Sequence, residues 1–318
     1  MALGIVFAFL VSILFAVYAV PRKFSKQHVI LYTMWMSVAY FVGTIFLIAI
    51  LWGFRIEEPE NLLNPWHLLT VLRGLIWLLG MAAYNLAIDK IGLTRFNQWK
   101  NVQGPVGSLL ILLVLADVVG TKLLWLLLGM TVLFASALMF QIPTDAEREN
   151  LIASNKDAKT GIVLAFFCGV CFGITALLNS VVTRSAIVGD MFTYSQLLYH
   201  SASLVLFSVI VYVMLGEKFN GEYSTAKQRF KDIFKVDKKT WLPVMAGGMF
   251  LIATLLTIHS YRLIPHSVAW SIMQLNVFWT VLIGLFIFQE INYKQHRLRL
   301  SLGVLKAGVA CVLLFFAI

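Results

Sequence analysis

Polar side chains interrupt two apolar stretches of the sequence, and both interruptions could bind a small polar ligand. The residues are Asn97, Lys100, Asn101 and Gln103 in the first stretch and Trp270, Gln274 and Asn276 in the second. Amide side chains both donate and accept hydrogen bonds, which suits a polyhydroxyl or carboxamide-like ligand. An indole adds a flat apolar surface of the kind on which sugar rings stack. These seven residues are therefore our predicted substrate site.

The helical spacing of these residues indicates which of them could point the same way. At 100° per residue, Asn101 shares a face with Gly104 and Ser108, and Gln274 shares one with Ser271. We expect Asn101 and Gln274 to face one central cavity. The alternative is that these polar groups link packed helices by hydrogen bonds, as they do in many membrane proteins.

Three cations fall within apolar stretches. Lys100 could bind an anionic ligand or carry a charge that changes during coupling, or it could extend to the membrane surface. For Arg73 and Lys306 we expect the surface arrangement, because each lies only a few residues from a predicted helix end.

A further polar face follows from Gln196, Tyr199, His200 and Ser203, which are spaced as neighbours on a helix. Histidine titrates near neutral pH, so His200 is a candidate proton site. A hydrogen-bonded structural histidine is the alternative. Gln196 and Tyr199 are expected to line the outer part of the same cavity.

Two acids end apolar stretches, Asp117 and Glu290. Glu290 is the second coupling candidate beside His200. Both acids could instead cap helices or anchor loops, and the role of Asp117 is left open.

The sequence indicates no metal and no cofactor. Cys168 and Cys171 form a C-x-x-C pair inside an apolar stretch, with no second such pair and no histidine cluster nearby. Small apolar packing residues explain them without a metal or redox role.

The elements that must position these groups are membrane helices. The 318 residues are 60% hydrophobic and 13% charged, with a mean hydropathy of +0.86, whereas soluble domains are about 25% charged. An apolar run of about 20 residues can span a bilayer. Ten such runs occur, at 2–20, 29–53, 67–88, 98–116, 122–140, 161–183, 192–215, 241–262, 267–288 and 300–318.

The runs fall into two similar halves. Residues 4–9 resemble residues 161–166, and Asn101 and Asp117 align with Gln274 and Glu290 at an offset of 173. The predicted organisation is a first five-helix repeat at 1–140, a linking loop at 141–160 and a second repeat at 161–318. Because five is odd, the second half enters the membrane from the opposite side. The fold class is thus an all-α membrane protein with ten transmembrane helices in two inverted repeats, the plan of secondary transporters.

The basic residues predict the orientation. Of the 25 Lys and Arg residues, 18 fall in one set of connections, 4 in the other and 3 within spans. Cytoplasmic loops are enriched in Lys and Arg, so both termini are predicted on the non-cytoplasmic side of a plasma membrane. The net charge of +10 is then a topology signal that also favours contact with anionic lipid. It does not indicate nucleic-acid binding, because no soluble domain remains to present such a surface.

The residues resemble the drug/metabolite transporter superfamily. The resemblance rests on the run from Gly104 and Pro105 to Asp117, and on Gln274-Leu275-Asn276 followed by Gly284 and Glu290. Within that superfamily, the segment 16–23 is closest to the glucose/ribose uptake and rhamnose–proton symporter group. The group implies uptake of a sugar together with protons. An aspartate at 117 departs from the family's usual Gly-Glu ending.

We therefore predict a secondary transporter that moves a small polar metabolite, above all a sugar, by alternating access with protons as the candidate coupling ion. The expected partners are the substrate and membrane lipid; the oligomeric state is left open. The alternatives are an exporter of metabolites or drugs on the same fold and a non-transporting membrane scaffold. An enzyme is not expected, because no span shows clustered acids, histidines or an activated nucleophile.

Overall fold

The computed structural model describes residues 1–25, 27–91, 96, 99–139, 155–184, 192–220, 225–288 and 293–318. Every regular element in these ranges is a helix. The helices are α1 (Ala2–Val17), α2 (Val20–Phe24), α3 (Val29–Gly53), α4 (His67–Ile91), α5 (Gln103–Leu115), α6 (Thr121–Met139), α7 (Asn155–Thr183), α8 (Tyr194–Asn220), α9 (Ala226–Asp232), α10 (Trp241–Leu263), α11 (His266–Met273), α12 (Asn276–Phe286) and α13 (Tyr293–Phe316).

Nine segments in the described ranges are long and apolar enough to cross a membrane. They include α1 with α2 as one segment and α11 with α12 as another. The chain is therefore an all-helical, multi-pass membrane protein. Nine of the ten predicted spans correspond to these segments. The predicted span 98–116 does not.

That fourth region is shorter than the sequence predicts. Its continuous helix, α5, has 13 residues, or about 20 Å at 1.5 Å per residue, which is less than the 30 Å of a bilayer core. Before it, Asn101 and Val102 form a turn, in which the Gly104 amide donates to the Asn101 carbonyl at 3.1 Å. Pro105 accounts for the interruption, because proline has no N–H to bond the Asn101 carbonyl four residues earlier and its ring clashes with that carbonyl.

The predicted span 267–288 is also interrupted. Helix α11 ends at Met273 and α12 begins at Asn276. Between them the Gln274 amide donates to the Ser271 carbonyl at 3.1 Å, so the chain makes a tight turn there. Both polar stretches singled out in the sequence thus coincide with breaks in a helix.

The long helices pack in pairs around these two interrupted segments. Among the long described helices, the most extensive contacts are those of α4 with α7, α6 with α13, α3 with both α8 and α10, and α1 with α10. The short helix α5 lies against α7 and α11, and α1 lies against α11 and α12. Small residues allow the close approach, because an added Cβ at Gly173 would lie 2.6 Å from the Val106 side chain.

The carboxylates of two acidic residues cap the N-termini of helices. Asp117 accepts hydrogen bonds from the backbone amide and the hydroxyl of Ser267, both at 2.8 Å, and so caps α11. Glu60 accepts from the amides of Thr193, Tyr194 and Ser195 and from the Ser195 hydroxyl, at 2.5–3.2 Å, and so caps α8. Negative charge is favourable at a helix N-terminus, where unbonded N–H groups point outward. The capping alternative for Asp117 therefore matches the structure.

The connections differ in part from expectation. Residues 140–154, most of the predicted linking loop 141–160, lie outside the described residues, and α7 already begins at Asn155. The 216–240 connection contains the seven-residue helix α9, which opens with a capping box between Thr225 and Gln228. Phe230 and Phe234 are exposed in this connection, which suits contact with a membrane surface.

Candidate functional site

A cavity of about 60 Å³ lies between the first and second halves of the chain. Its wall comes from α1, α4, α7, α10 and the two interrupted segments, including Lys100 just before α5 and Asn276 at the start of α12. The apolar wall consists of Phe15, Tyr18, Trp77, Phe172, Ala176, Phe250 and Trp270, and the polar wall of Arg73, Lys100, Gln103, Thr175, Asn179, Thr254, Thr257 and Asn276.

Arg73 is a polar wall residue rather than a surface cation. It is 6% exposed, and its Nη1 donates to the Asn179 side-chain oxygen at 2.7 Å. The expectation that Arg73 extends to the membrane surface is therefore wrong. Helix α4 begins six residues earlier, at His67, so Arg73 lies nearly two turns inside the helix and on its packed face.

Lys100 also lines the cavity and is 3% exposed. Its Nζ lies 5.7 Å from the centre of the Tyr84 ring and 6.0 Å from the centres of the Phe96 and Phe172 rings. Aromatic faces attract cations at such distances. The ammonium group is thus surrounded by ring edges and faces, and no carboxylate of the described residues lines this cavity with it.

The two interrupted segments meet directly through amides. Gln103 Nε2 donates to Gln274 Oε1 at 2.7 Å, and Trp270 Nε1 donates to the Gln103 carbonyl at 3.1 Å. The Trp270 ring lies over Gly107, where an added Cβ would be 2.8 Å from Trp270 Cδ1. The indole is thereby fixed with one surface on the cavity.

Asn276 is the most unusual polar group in the wall. It is 1% exposed, and neither its side-chain oxygen nor its nitrogen has a hydrogen-bond partner among the described residues. Buried polar groups in native proteins are nearly always hydrogen-bonded. An amide that lines a cavity with both polar atoms unbonded can satisfy them with a bound molecule.

Aromatic rings form a continuous surface beside these polar groups. The ring centroids of Trp77 and Phe250 are 4.8 Å apart, those of Tyr18 and Phe250 are 5.8 Å apart, and those of Trp77 and Phe172 are 6.1 Å apart. Flat apolar surface next to amides and cations can hold a ring that carries hydroxyl groups.

Asn101 and Gln274 do not meet in this central cavity. Both instead line a smaller space of about 10 Å³ with Gly104 and Ser271. The predicted shared face is present, but it packs helix against helix, because its small residues let α5 and α11 approach closely. The face that carries Lys100 and Gln103 looks into the cavity.

His200 lies behind the cavity wall. It is fully buried, its Nδ1 is 3.3 Å from the Tyr40 hydroxyl, and its Nε2 has no hydrogen-bond partner among the described residues. The rings of Trp77 and Phe250 lie 6.3 Å from the imidazole, centre to centre. His200 can therefore influence the cavity through these rings and not by direct contact with its contents.

The other residues of that helix face have separate partners. Gln196 Nε2 donates to the Thr183 hydroxyl at 3.1 Å and to the Phe192 carbonyl. Tyr199 donates to the Leu62 carbonyl at 2.6 Å and stacks on His67 at 4.4 Å. Neither lines the central cavity, contrary to expectation, because both turn toward helix ends and loops.

Two predicted residues, Asn97 and Glu290, lie outside the described residues. In the described ranges, no group of three or more His, Cys, Asp or Glu residues could hold a metal ion. Cys168 and Cys171 are both buried free thiols.

The sequence prediction missed several wall residues. Asn179 and Thr254 are polar residues within long apolar helices, which alone marks a group as facing the protein interior. The position of Asn179 within an apolar helix could therefore have predicted that it faces the protein interior. It is weak for threonine, because threonine bonds its own helix, as Thr254 does with the Phe250 carbonyl at 2.8 Å.

Comparison with known proteins gives one family match. Residues 198–317 match the family model described as Sugar transport protein. Together with the nine apolar helices, this match supports a membrane sugar transporter and not an enzyme. No curated protein matches the chain.

Solved structures add information on the fold. Twenty-two chains of solved structures match this one. One of them, a crystal structure of a protein, superposes with a TM-score of 0.66 over 98% of this chain and 96% of its own, at 13% sequence identity. At that identity the likeness shows the fold alone.

Proposed function

We propose that the protein carries a sugar across the plasma membrane by alternating access, with the central cavity as its substrate site. The observation that carries this proposal is the sugar transport match over residues 198–317, combined with a cavity that polar and aromatic residues of both halves line. In the proposed cycle, two inverted five-helix halves, 1–140 and 161–318, move against each other around the bound sugar.

The pairing of helices supports two inverted halves. Helix α4, the third span of the first half, packs on α7, the first span of the second half, and α10 packs on α1 in the corresponding way. Likewise α5 packs on α7, as α11 and α12 pack on α1. Each helix contact that the first half makes with the second therefore has a counterpart that the second half makes with the first. On this proposal α5, with the residues before it, counts as the tenth span.

Within the cavity, we assign the sugar contacts to the wall residues of the predicted set. Gln103 and Asn276 would bond its hydroxyl groups, and Trp270 would support its ring. Lys100 lies at one end of the same cavity. Asn97, Asn101 and Gln274 remain proposed contacts of lower rank, because the two described residues among them face the smaller space beside α5.

Proton coupling is the proposed source of energy. No carboxylate of the described residues lines the cavity, so we place the proton carriers outside it. His200, one ring away from the cavity, and Glu290 are the proposed proton carriers. This makes the protein a candidate symporter of the drug/metabolite transporter superfamily, with both termini outside the cytoplasm.

Counterflow in proteoliposomes tests the transport proposal. Vesicles that contain the protein are loaded with one unlabelled sugar and diluted into a trace of the same labelled sugar, for a panel of hexoses, pentoses and their derivatives. We expect a transient accumulation of label for at least one sugar, which a carrier gives and a leak does not. Protein-free vesicles and vesicles without internal sugar are the controls.

The same vesicles address the exporter alternative. If no sugar or sugar derivative shows counterflow, while lipophilic drugs or other metabolites do, the sugar proposal is wrong and the exporter reading is correct. If no compound of any class is exchanged, the result supports the alternative of a non-transporting membrane scaffold.

A further inference from the structure

The central cavity holds two buried cations. Arg73 is 6% and Lys100 is 3% exposed, and both line this cavity. Removing a charge from water is costly unless an opposite charge or hydrogen bonds compensate. Cations inside a membrane protein are therefore usually paired, and here no lining residue among those described is a carboxylate.

The compensation that Arg73 receives from the protein is small. Nη1 donates to the neutral amide oxygen of Asn179, and no acceptor among the described residues takes the remaining N–H groups. A guanidinium offers five N–H donors in a planar fork that matches a carboxylate or a phosphate. Because Arg73 lines the cavity, a bound anion there could accept from the donors that Asn179 does not use.

Lys100 is compensated by rings instead of charges. The three aromatic centres at 5.7–6.0 Å stabilise an ammonium, but each such contact is worth less than a charge-assisted hydrogen bond. All three of its N–H donors remain available to a bound molecule.

The two cations mark different ends of the cavity. Arg73 bonds Asn179, while Lys100 lies beside Phe172, and both partners are on α7. Seven residues of helix separate these partners, a rise of about 10 Å. A single sugar ring with one substituent can extend over that length, with Asn276 and the aromatic surface beside it.

We propose that the substrate is an anionic sugar, whose carboxylate or phosphate pairs with Arg73 while its ring extends along the aromatic wall toward Lys100. This inference rests on the proposed sugar transport and specifies the substrate class. A neutral sugar would leave both cations buried without a counter-charge, and so would bind more weakly than its acidic derivative.

Matched sugar pairs test the inference. Binding to the purified protein is measured calorimetrically for glucose, glucuronate and glucose 6-phosphate, and for ribose and ribose 5-phosphate. We expect at least one acidic derivative to bind tenfold or more tightly than its neutral parent, a difference of about 1.4 kcal/mol. Glucuronate and glucose 6-phosphate separate a carboxylate from a phosphate preference.

Charge-removing variants connect that preference to the two cations. In Arg73→Gln the preference for the acidic sugar should disappear, and in Lys100→Gln it should shrink. Lys306→Gln is the matched control, because Lys306 is a cation within α13 that does not line the cavity. The comparison within the wild-type protein stands even if a cavity variant fails to fold.

The outcomes distinguish a failure of the anionic-sugar inference from a failure of the proposed sugar transport. Equal or tighter binding of the neutral sugars overturns the anionic inference and leaves sugar transport standing. Inorganic phosphate that binds as tightly as the sugar phosphates overturns the assignment of a ring site. If neither neutral nor acidic sugars bind, and counterflow is also absent, the proposed function fails together with the inference.

Discussion

At the scale of single residues, the chain offers two buried asparagines in contrasting places. Asn276 lines the central cavity and Asn101 the smaller space between α5 and α11. Their exposed fractions are 1% and 3%, and the side-chain oxygen of each lacks a partner among the described residues. Because the two side chains are chemically identical, substitution of each distinguishes an asparagine that binds the ligand from one that only packs between helices.

Asn276→Ala should weaken substrate binding by roughly threefold to tenfold, because one hydrogen bond to a neutral amide contributes about 0.5–1.5 kcal/mol. Its melting temperature should change little, since the protein itself gives the amide no partner. Asn101→Ala is the matched comparison and should weaken sugar binding less, because Asn101 lines the smaller space and not the central cavity. Calorimetry and thermal unfolding in detergent measure the two quantities. A larger loss of binding in Asn101→Ala would move the site to the smaller space.

His200→Gln should abolish proton-driven accumulation and leave counterflow exchange intact. Glutamine keeps hydrogen-bonding groups near Tyr40 but cannot titrate, so it removes only the proton step. Uptake driven by an imposed pH gradient is compared with counterflow over a range of pH. Gradient-driven accumulation equal to that of the wild type at every pH would exclude His200 and leave Glu290 or facilitated diffusion.

At the scale of elements, the interrupted helices depend on a close contact between α5 and α11. Gly107→Ala should destabilise the protein by about 1–3 kcal/mol, because the new methyl group would overlap the Trp270 ring. Displacement of that ring should also weaken sugar binding. Gly308→Ala is the control, since a Cβ at Gly308 meets nothing within 4 Å. Equal melting temperatures for the two variants would show that α11 does not need this approach.

Element boundaries were predictable where apolar length alone decides them. The run 29–53 coincides with α3, and 241–262 differs from α10 by one residue at its end. The sequence could not reveal which face of an interrupted helix meets the cavity. Asn101 and Lys100 are adjacent in sequence, and only the packing of small residues on α11 assigns them to opposite sides. Arg73 was misplaced for a similar reason, since distance from a helix end does not specify a face.

At the scale of the whole molecule, the uneven distribution of basic residues predicts the orientation in the membrane. A single cysteine introduced after Ile318 should react with an impermeant thiol reagent added outside the cell, and one at Ser224 should not. The background variant is Cys311→Ser, because Cys311 is half-buried while Cys168 and Cys171 are buried. The reverse labelling pattern would invert the orientation and weaken the resemblance to the sugar–proton symporter group, although the fold could survive.

The cap that Glu60 forms on α8 ties two distant parts of the chain together. Three backbone amides and one hydroxyl at residues 193–195 share this single carboxylate, and Glu60 belongs to the connection between α3 and α4. A motion that separates this connection from the start of α8 must therefore release all four donors, and otherwise the two parts move together.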